Sequence, residues 1–248
     1  MKRAFMAVVI LASLVFINSR ADALVGVEGR YWFTDLDADL KVTDNNITGT
    51  DIDLTDDLGM DDEDFYEARI SIGLGRHRIR YAYLPLSWDG AKTISKSITF
   101  NGRAYSANTF VDSSLDVTYH RLGYEYDIID ALGNRLGVIF EVKYFDIDAE
   151  LESSTISESE SMGVPLPAVG VTFQVGLPVF LSLGGEVTGI SVGGNGYLVD
   201  AECVLNYKPA PLVTFSGGYR YLKLYAEKGD DEADLTLDGP FVTVKLRF

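Results

Sequence analysis

Cysteine is almost missing from this chain. Cys203 is the only one in 248 residues, so no intramolecular disulfide can staple the fold. Histidine is nearly as scarce, with His77 and His120 alone, which leaves little material for a nucleophile–base–orienter set. Proline numbers only 7, a composition that suits strands rather than linkers. No run beyond the first twenty or so residues approaches the ~18 apolar positions that a membrane helix requires. Basic residues are outnumbered, 21 against 37 acidic ones, and the net charge of −16 argues against nucleic acid as a partner.

What the chain does have begins with Met1-Lys2-Arg3, a positive start. An apolar run over 4–17, broken only by Ser13, leads to the small-x-small site Ala21-Asp22-Ala23. This is the pattern of a secretory signal peptide over 1–23, with 24–248 as one mature domain. With no Cys near the cut, a lipoprotein is excluded. Tyr (14) and Phe (13) are plentiful.

The last stretch organises the rest. Val242, Val244, Leu246 and Phe248 fall on one side of an extended chain, and Thr243, Lys245 and Arg247 on the other. Period-two alternation marks a strand with one apolar and one wet face. The same pattern recurs upstream in Val25–Phe33, then in strands carrying Ile70 and Ile72, Ile79 and Tyr81, Leu122 and Tyr124, and Val138 and Phe140 outward. It continues with Val169 and Val171, Leu181 and Leu183, Val199 and Cys203, and Val213 and Phe215. Pro85 is expected to break the phase of the third strand. Within a polar excursion over 88–112, Asn101-Gly102 predicts a hairpin with a type I′ turn.

This makes about ten strands joined by connections that alternate between short and mostly long, the arrangement of an antiparallel up-and-down transmembrane barrel with its termini at the short-turn side. A soluble β-sandwich would lack that alternation and would carry polar outward faces. The long connections, over 35–64, 88–112, 150–163 and 227–238, are expected to be acidic external loops. Within the first, Leu54, Leu58 and Met60 would form the apolar face of a short helical turn capping the mouth.

In signal peptide, dyad strands, loop alternation and terminal Phe, the chain resembles small Gram-negative outer-membrane β-barrel proteins of the OmpA-, OmpX- and OmpW-like superfamily. The resemblance implies an all-β fold, residence in the cell outer membrane after export, and contact with outer-membrane lipids and lipopolysaccharide. It also implies that Val244, Leu246 and Phe248 form the C-terminal signal read by the barrel assembly machinery.

The inward positions set what the lumen can do. They gather Glu28, Glu67, Glu125, Glu141, Glu186, Asp200 and Glu202 against Arg30, Arg69, Arg78, Arg80, Arg121, Lys143, Arg220, Lys245 and Arg247. A barrel of about ten strands is too narrow for a porin's aqueous channel. Opposite charges confined there should pair, because an unpaired buried charge is costly. The expectation is a charge-paired, largely plugged lumen, with a narrow path for small solutes or ions as the alternative.

The outward tyrosines read as aromatic girdles. Acidic loops favour hard cations such as Ca²⁺ and Mg²⁺. The 51–64 segment nonetheless lacks the spacing of a twelve-residue calcium loop, which points to a solvated surface exchanging divalent ions with lipopolysaccharide phosphates. Two enzymatic barrel classes are disfavoured by the histidines. Omptin-like proteases place a His with acidic partners at the outer mouth, whereas His77 falls in an inner turn. Barrel lipid A deacylases pair a His with a nearby Ser, and His120-Arg121-Leu122 lacks it. The sequence therefore predicts no catalytic residues and no cofactor, and a non-enzymatic envelope-structural or surface-interaction role.

Overall fold

The computed structural model describes residues 23–43 and 47–248. Apart from Ala23, which opens the first strand, the expected signal peptide lies outside the described residues. The elements are β1 (Ala23–Phe33), β2 (Asp35–Lys41), β3 (Ile52–Asp53), β4 (Asp64–Leu74), β5 (His77–Thr93), β6 (Ile98–Phe100) and β7 (Arg103–Tyr105). They continue as β8 (Phe110–Ala131), β9 (Asn134–Ser153), β10 (Ser157–Gly176), β11 (Leu181–Ser191), β12 (Gly196–Ala210), β13 (Val213–Lys228) and β14 (Asp231–Arg247).

Ten of these close a barrel in the order β1-β4-β5-β8-β9-β10-β11-β12-β13-β14. All neighbours are antiparallel, and β14 returns to β1 with Val27 opposite Leu246 and Tyr31 opposite Val242. The terminal residue belongs to the seam: Val25 N–H donates to the Phe248 carbonyl at 3.0 Å, and Phe248 N–H donates to the Val25 carbonyl at 2.9 Å. Closure removes the unpaired edges that an open sheet would expose. β2 continues β1 past a break at Thr34 and pairs with the first half of β14. That break faces Gly239, whose φ of +153° suits glycine and where a Cβ would overlap the Phe33 carbonyl.

At one end, called the turn end here, the strands join through tight connections such as Leu132-Gly133, with φ of +55° and +81°. At the other, the loop end, the strands run on well past the apolar belt. The 150–163 stretch is strand on both sides of a turn at 154–156, not the expected loop. The 227–238 stretch is likewise β13 and β14 meeting around Gly229, and the two ends of 88–112 belong to β5 and β8. The Asn101-Gly102 hairpin forms as expected, with φ of +47° and +72°. Pro85 does not break the phase of β5. It lies just beyond the last β4–β5 pair, Ala68 with Tyr83, where no donor is needed on that edge.

These extensions lacked apolar outward faces because the polarity of the wall inverts within single strands. In β8 the inward residues from the loop end are Val111, Ser113, Leu115, Val117 and Tyr119, and the outward ones include Asp112 and Asp116. From His120 toward the turn end, Leu122 and Tyr124 face outward while Arg121 and Glu125 face in. β5 flips at the same level, from outward Tyr81 and Tyr83 to inward Leu84, Leu86 and Trp88. β9 changes from outward Val142 and Tyr144 to outward Asp146, Asp148 and Glu150. One half is thus built for lipid, with polar groups inside. The other is built for water, with an apolar core.

Candidate functional site

Tyr83, His120 and Tyr144 stand side by side across β5, β8 and β9 and mark the boundary on the outer wall. His120 Nδ1 lies 2.8 Å from the Tyr81 hydroxyl and its ring packs on Tyr83 and Tyr144, so it belongs to an aromatic girdle. His77 meets the Tyr124 hydroxyl at 2.6 Å near the turn end. Neither histidine reaches the loop-end mouth.

Inside the lipid-facing half, the alternation of β1, β4, β5, β8, β9, β11, β12, β13 and β14 delivers the charged residues to the lumen. Asp200 is its hub. It accepts two hydrogen bonds from Arg220, each at 2.9 Å, one from Lys143 at 2.6 Å and one from the Tyr119 hydroxyl at 3.2 Å, with Arg121 at 3.5 Å. Glu67 lies 3.0 Å from Arg69, 3.4 Å from Arg220 and 3.5 Å from Arg30. Glu202 receives Arg30 at 2.7 Å and Arg69 at 3.1 Å. Arg121 binds Glu186 at 2.6 Å and Glu141 at 3.2 Å, and Lys143 reaches Glu141 at 3.1 Å. Arg80 joins Glu186, and Arg78 joins Glu125. Glu28 links Arg30 at 3.6 Å to Lys245 at 3.5 Å.

Every expected member of the lumen set therefore enters one connected network except Arg247. That residue points inward as the alternation requires, but its register partner is Gly26 and no acid lies within ion-pair reach among the described residues. Two members were not foreseen. Arg135 and Asp127 meet at 3.4 Å, and Arg78 also reaches Asp127, at 3.6 Å. Their missed signal was inward parity at the ends of β8 and β9, obscured by a register shift between Asp127 and Ile129.

Above the charges comes an aromatic layer. Arg220 lies over the Trp32 ring at 4.7 Å, Arg30 over Phe241 at 3.7 Å, and Tyr119 stacks on Phe145 at 4.4 Å. Beyond it, the loop-end half is filled by Leu84, Leu86, Trp88, Val117, Leu198, Leu222 and Leu237. Trp32 and Trp88 are both 0 % exposed.

Two segments cover this core. The 42–63 connection inserts Ile52, Leu54, Leu58 and Met60, and its helical turn forms through Asp57 N–H to the Asp53 carbonyl and Gly59 N–H to the Thr55 carbonyl. The Asp53 carboxylate caps that turn by accepting from Thr55 N–H and Asp56 N–H. Gly90 lets the turn approach the wall, since a Cβ there would lie 2.7 Å from the Leu58 carbonyl oxygen. The β6–β7 hairpin adds Ile98, Phe100 and Tyr105. Tyr105 donates to the Leu151 carbonyl at 2.7 Å, and burial pushes its hydroxyl pKa up to about 12.

Acid covers the outside of the water-facing half. Asp116 stands opposite Asp148 and Asp39 opposite Asp234, placements that cost free energy between like charges. Partial burial and then Asp53, Asp37, Asp234 and Asp51 hold the Asp39 carboxyl above the usual range. No three acidic, His or Cys side chains converge as metal ligands among the described residues.

No family model and no curated protein matches the sequence. Among solved structures, the outer-membrane protease OmpT of Escherichia coli superposes with a TM-score of 0.59 at 10% identity, over 94% of this chain and 99% of that one. The chain has the fold of an outer-membrane β-barrel. Two other outer-membrane barrels match less closely. They are the attachment invasion locus protein Ail of Yersinia pestis (TM-score 0.38, 10% identity, 91% and 99% covered) and the P. putida toluene transporter TodX (TM-score 0.36, 7% identity, 93% and 90% covered). Likeness at 10% identity shows the fold alone and leaves function to be argued from the barrel's own interior and walls.

Proposed function

We propose that this protein is a non-enzymatic, integral outer-membrane barrel with a sealed lumen, serving an envelope-structural or surface-interaction role. One observation carries the reading: the apolar core around Trp32, Trp88 and Leu222 fills the loop-end half of the barrel, and ions cross such a packed region at high cost. In this reading the turn end faces the periplasm after export. The tyrosine girdles contact lipid, and Val244, Leu246 and Phe248 engage the assembly machinery. The like-charge pairs on the outer wall support a diffuse exchange of divalent cations with lipopolysaccharide phosphates.

A narrow solute channel is the second reading. It is favoured only by the polar cavity in the turn-end half, and a solute using it would have to displace the aromatic layer. Catalysis is disfavoured by the positions of the histidines, one in the girdle and one at the turn end. Incubation of the folded protein with peptides, phospholipid and lipid A should yield no product. Turnover that disappears in His120→Ala would overturn the non-enzymatic assignment.

A further inference from the structure

The charge network is balanced at its centre but not at its turn-end rim. Below Arg30 and Arg121 lies a cavity of about 260 Å³, lined by nine cationic side chains against five carboxylates. Behind the lining, Glu67 answers Arg30 and Arg69, Asp200 answers Arg121, and Asp127 answers part of Arg78 and Arg135. At the rim the surplus is left over. Lys245 shares Glu28 with Arg30, while Arg247 and Lys208 line the cavity with no acid in ion-pair reach among the described residues.

We propose that this vestibule is a binding site for a small soluble oxyanion of the phosphate class. Surplus cations inside a low-dielectric wall focus a positive potential on the mouth, and burying them without counter-charge is costly. Guanidinium groups match phosphate oxygens in paired hydrogen bonds. The volume falls just short of the range of drug-sized pockets, which fits a compact anion. The Arg30, Arg121 and Glu202 layer closes the vestibule from above, with Trp32 and Phe241 beyond it. The anion therefore enters and leaves by one mouth. Ser182, Asn206 and Ser216 add hydroxyl and amide groups to the wall beside Phe173 and Val204. The site does not depend on whether the outer half conducts.

Calorimetric titration of the folded full-length protein with inorganic phosphate and pyrophosphate, in a non-ionic detergent at low chloride, tests this. Saturable binding is expected. The double variant Lys245→Gln/Arg247→Gln should bind pyrophosphate about tenfold more weakly or worse, as loss of charged hydrogen bonds requires. Lys92→Gln/Lys96→Gln, at the loop end, should bind as the unmodified protein does. If the double variant fails to give a heat-modifiable band, Lys208→Gln at the exposed rim replaces it, with a loss of about threefold expected from one screened charge. Absence of saturable binding, or equal loss in the loop-end variant, would overturn the proposal. Repeating the titration in nanodiscs of phosphatidylcholine and of phosphatidylglycerol separates the sources of phosphate. Unchanged affinity supports a soluble ligand, and loss of pyrophosphate binding in phosphatidylglycerol would assign the site to a lipid headgroup instead.

Discussion

Asp200→Ala is expected to destabilise the folded barrel by about 3–5 kcal/mol, the usual cost of removing one partner from a fully buried ion pair. Arg220, Lys143 and Arg121 all converge on this one carboxylate. Its loss leaves three cations in a layer where Arg220 and Lys143 are fully buried. Asp200→Asn keeps the shape and one acceptor but removes the charge, so it should fall between the two. Both tryptophans of the chain lie inside the barrel, and Trp32 packs on Arg220. Urea unfolding in lipid vesicles, followed by tryptophan emission, therefore reads the change directly. A loss below about 1 kcal/mol, the worth of an exposed pair, would mean that water reaches the hub.

Trp88→Ala is expected to cost a similar amount, about 3–5 kcal/mol, by opening a cavity in the loop-end core. Trp88 meets Phe65 edge to face with ring centres 5.0 Å apart, and its Nε1–H has no acceptor among the described residues. Trp88→Phe forfeits volume but no hydrogen bond, and should cost distinctly less. Because the 42–63 connection rests on this core through Leu58 and Met60, Trp88→Ala should also expose that connection to proteolysis. Equal urea midpoints for the unmodified protein and Trp88→Ala would contradict a packed outer core.

The lipid-facing half was legible because strict alternation with an apolar outer face has few other meanings. Strand number, inward parity and almost the whole charge set followed from it. The water-facing half was harder to read. Leu84, Leu86 and Trp88 alternate as faithfully as Ile79 and Tyr81, but on the opposite parity. Judged by its outward Ser87 and Asp89, such a stretch resembles loop. The same inversion hid strands at 150–163 and 227–238, where outward acids dominate. What marks the inversion is physical: above the membrane, water lies outside the wall and the apolar face must turn inward. Tyr83 and His120, with Tyr144 beside them, sit at the change. Convergence of three cations on Asp200 could not be read from parity, since side-chain reach across the lumen depends on strand stagger.

One barrel carries a charged layer in its lipid-facing half and an apolar core in its outer half. Single-channel recording of the unmodified, folded protein in planar bilayers tests it most directly. The closed interior predicts a baseline without steady conductance across applied voltages of either sign. Steady, sizeable openings from the unmodified protein would contradict it and make a solute channel the leading function.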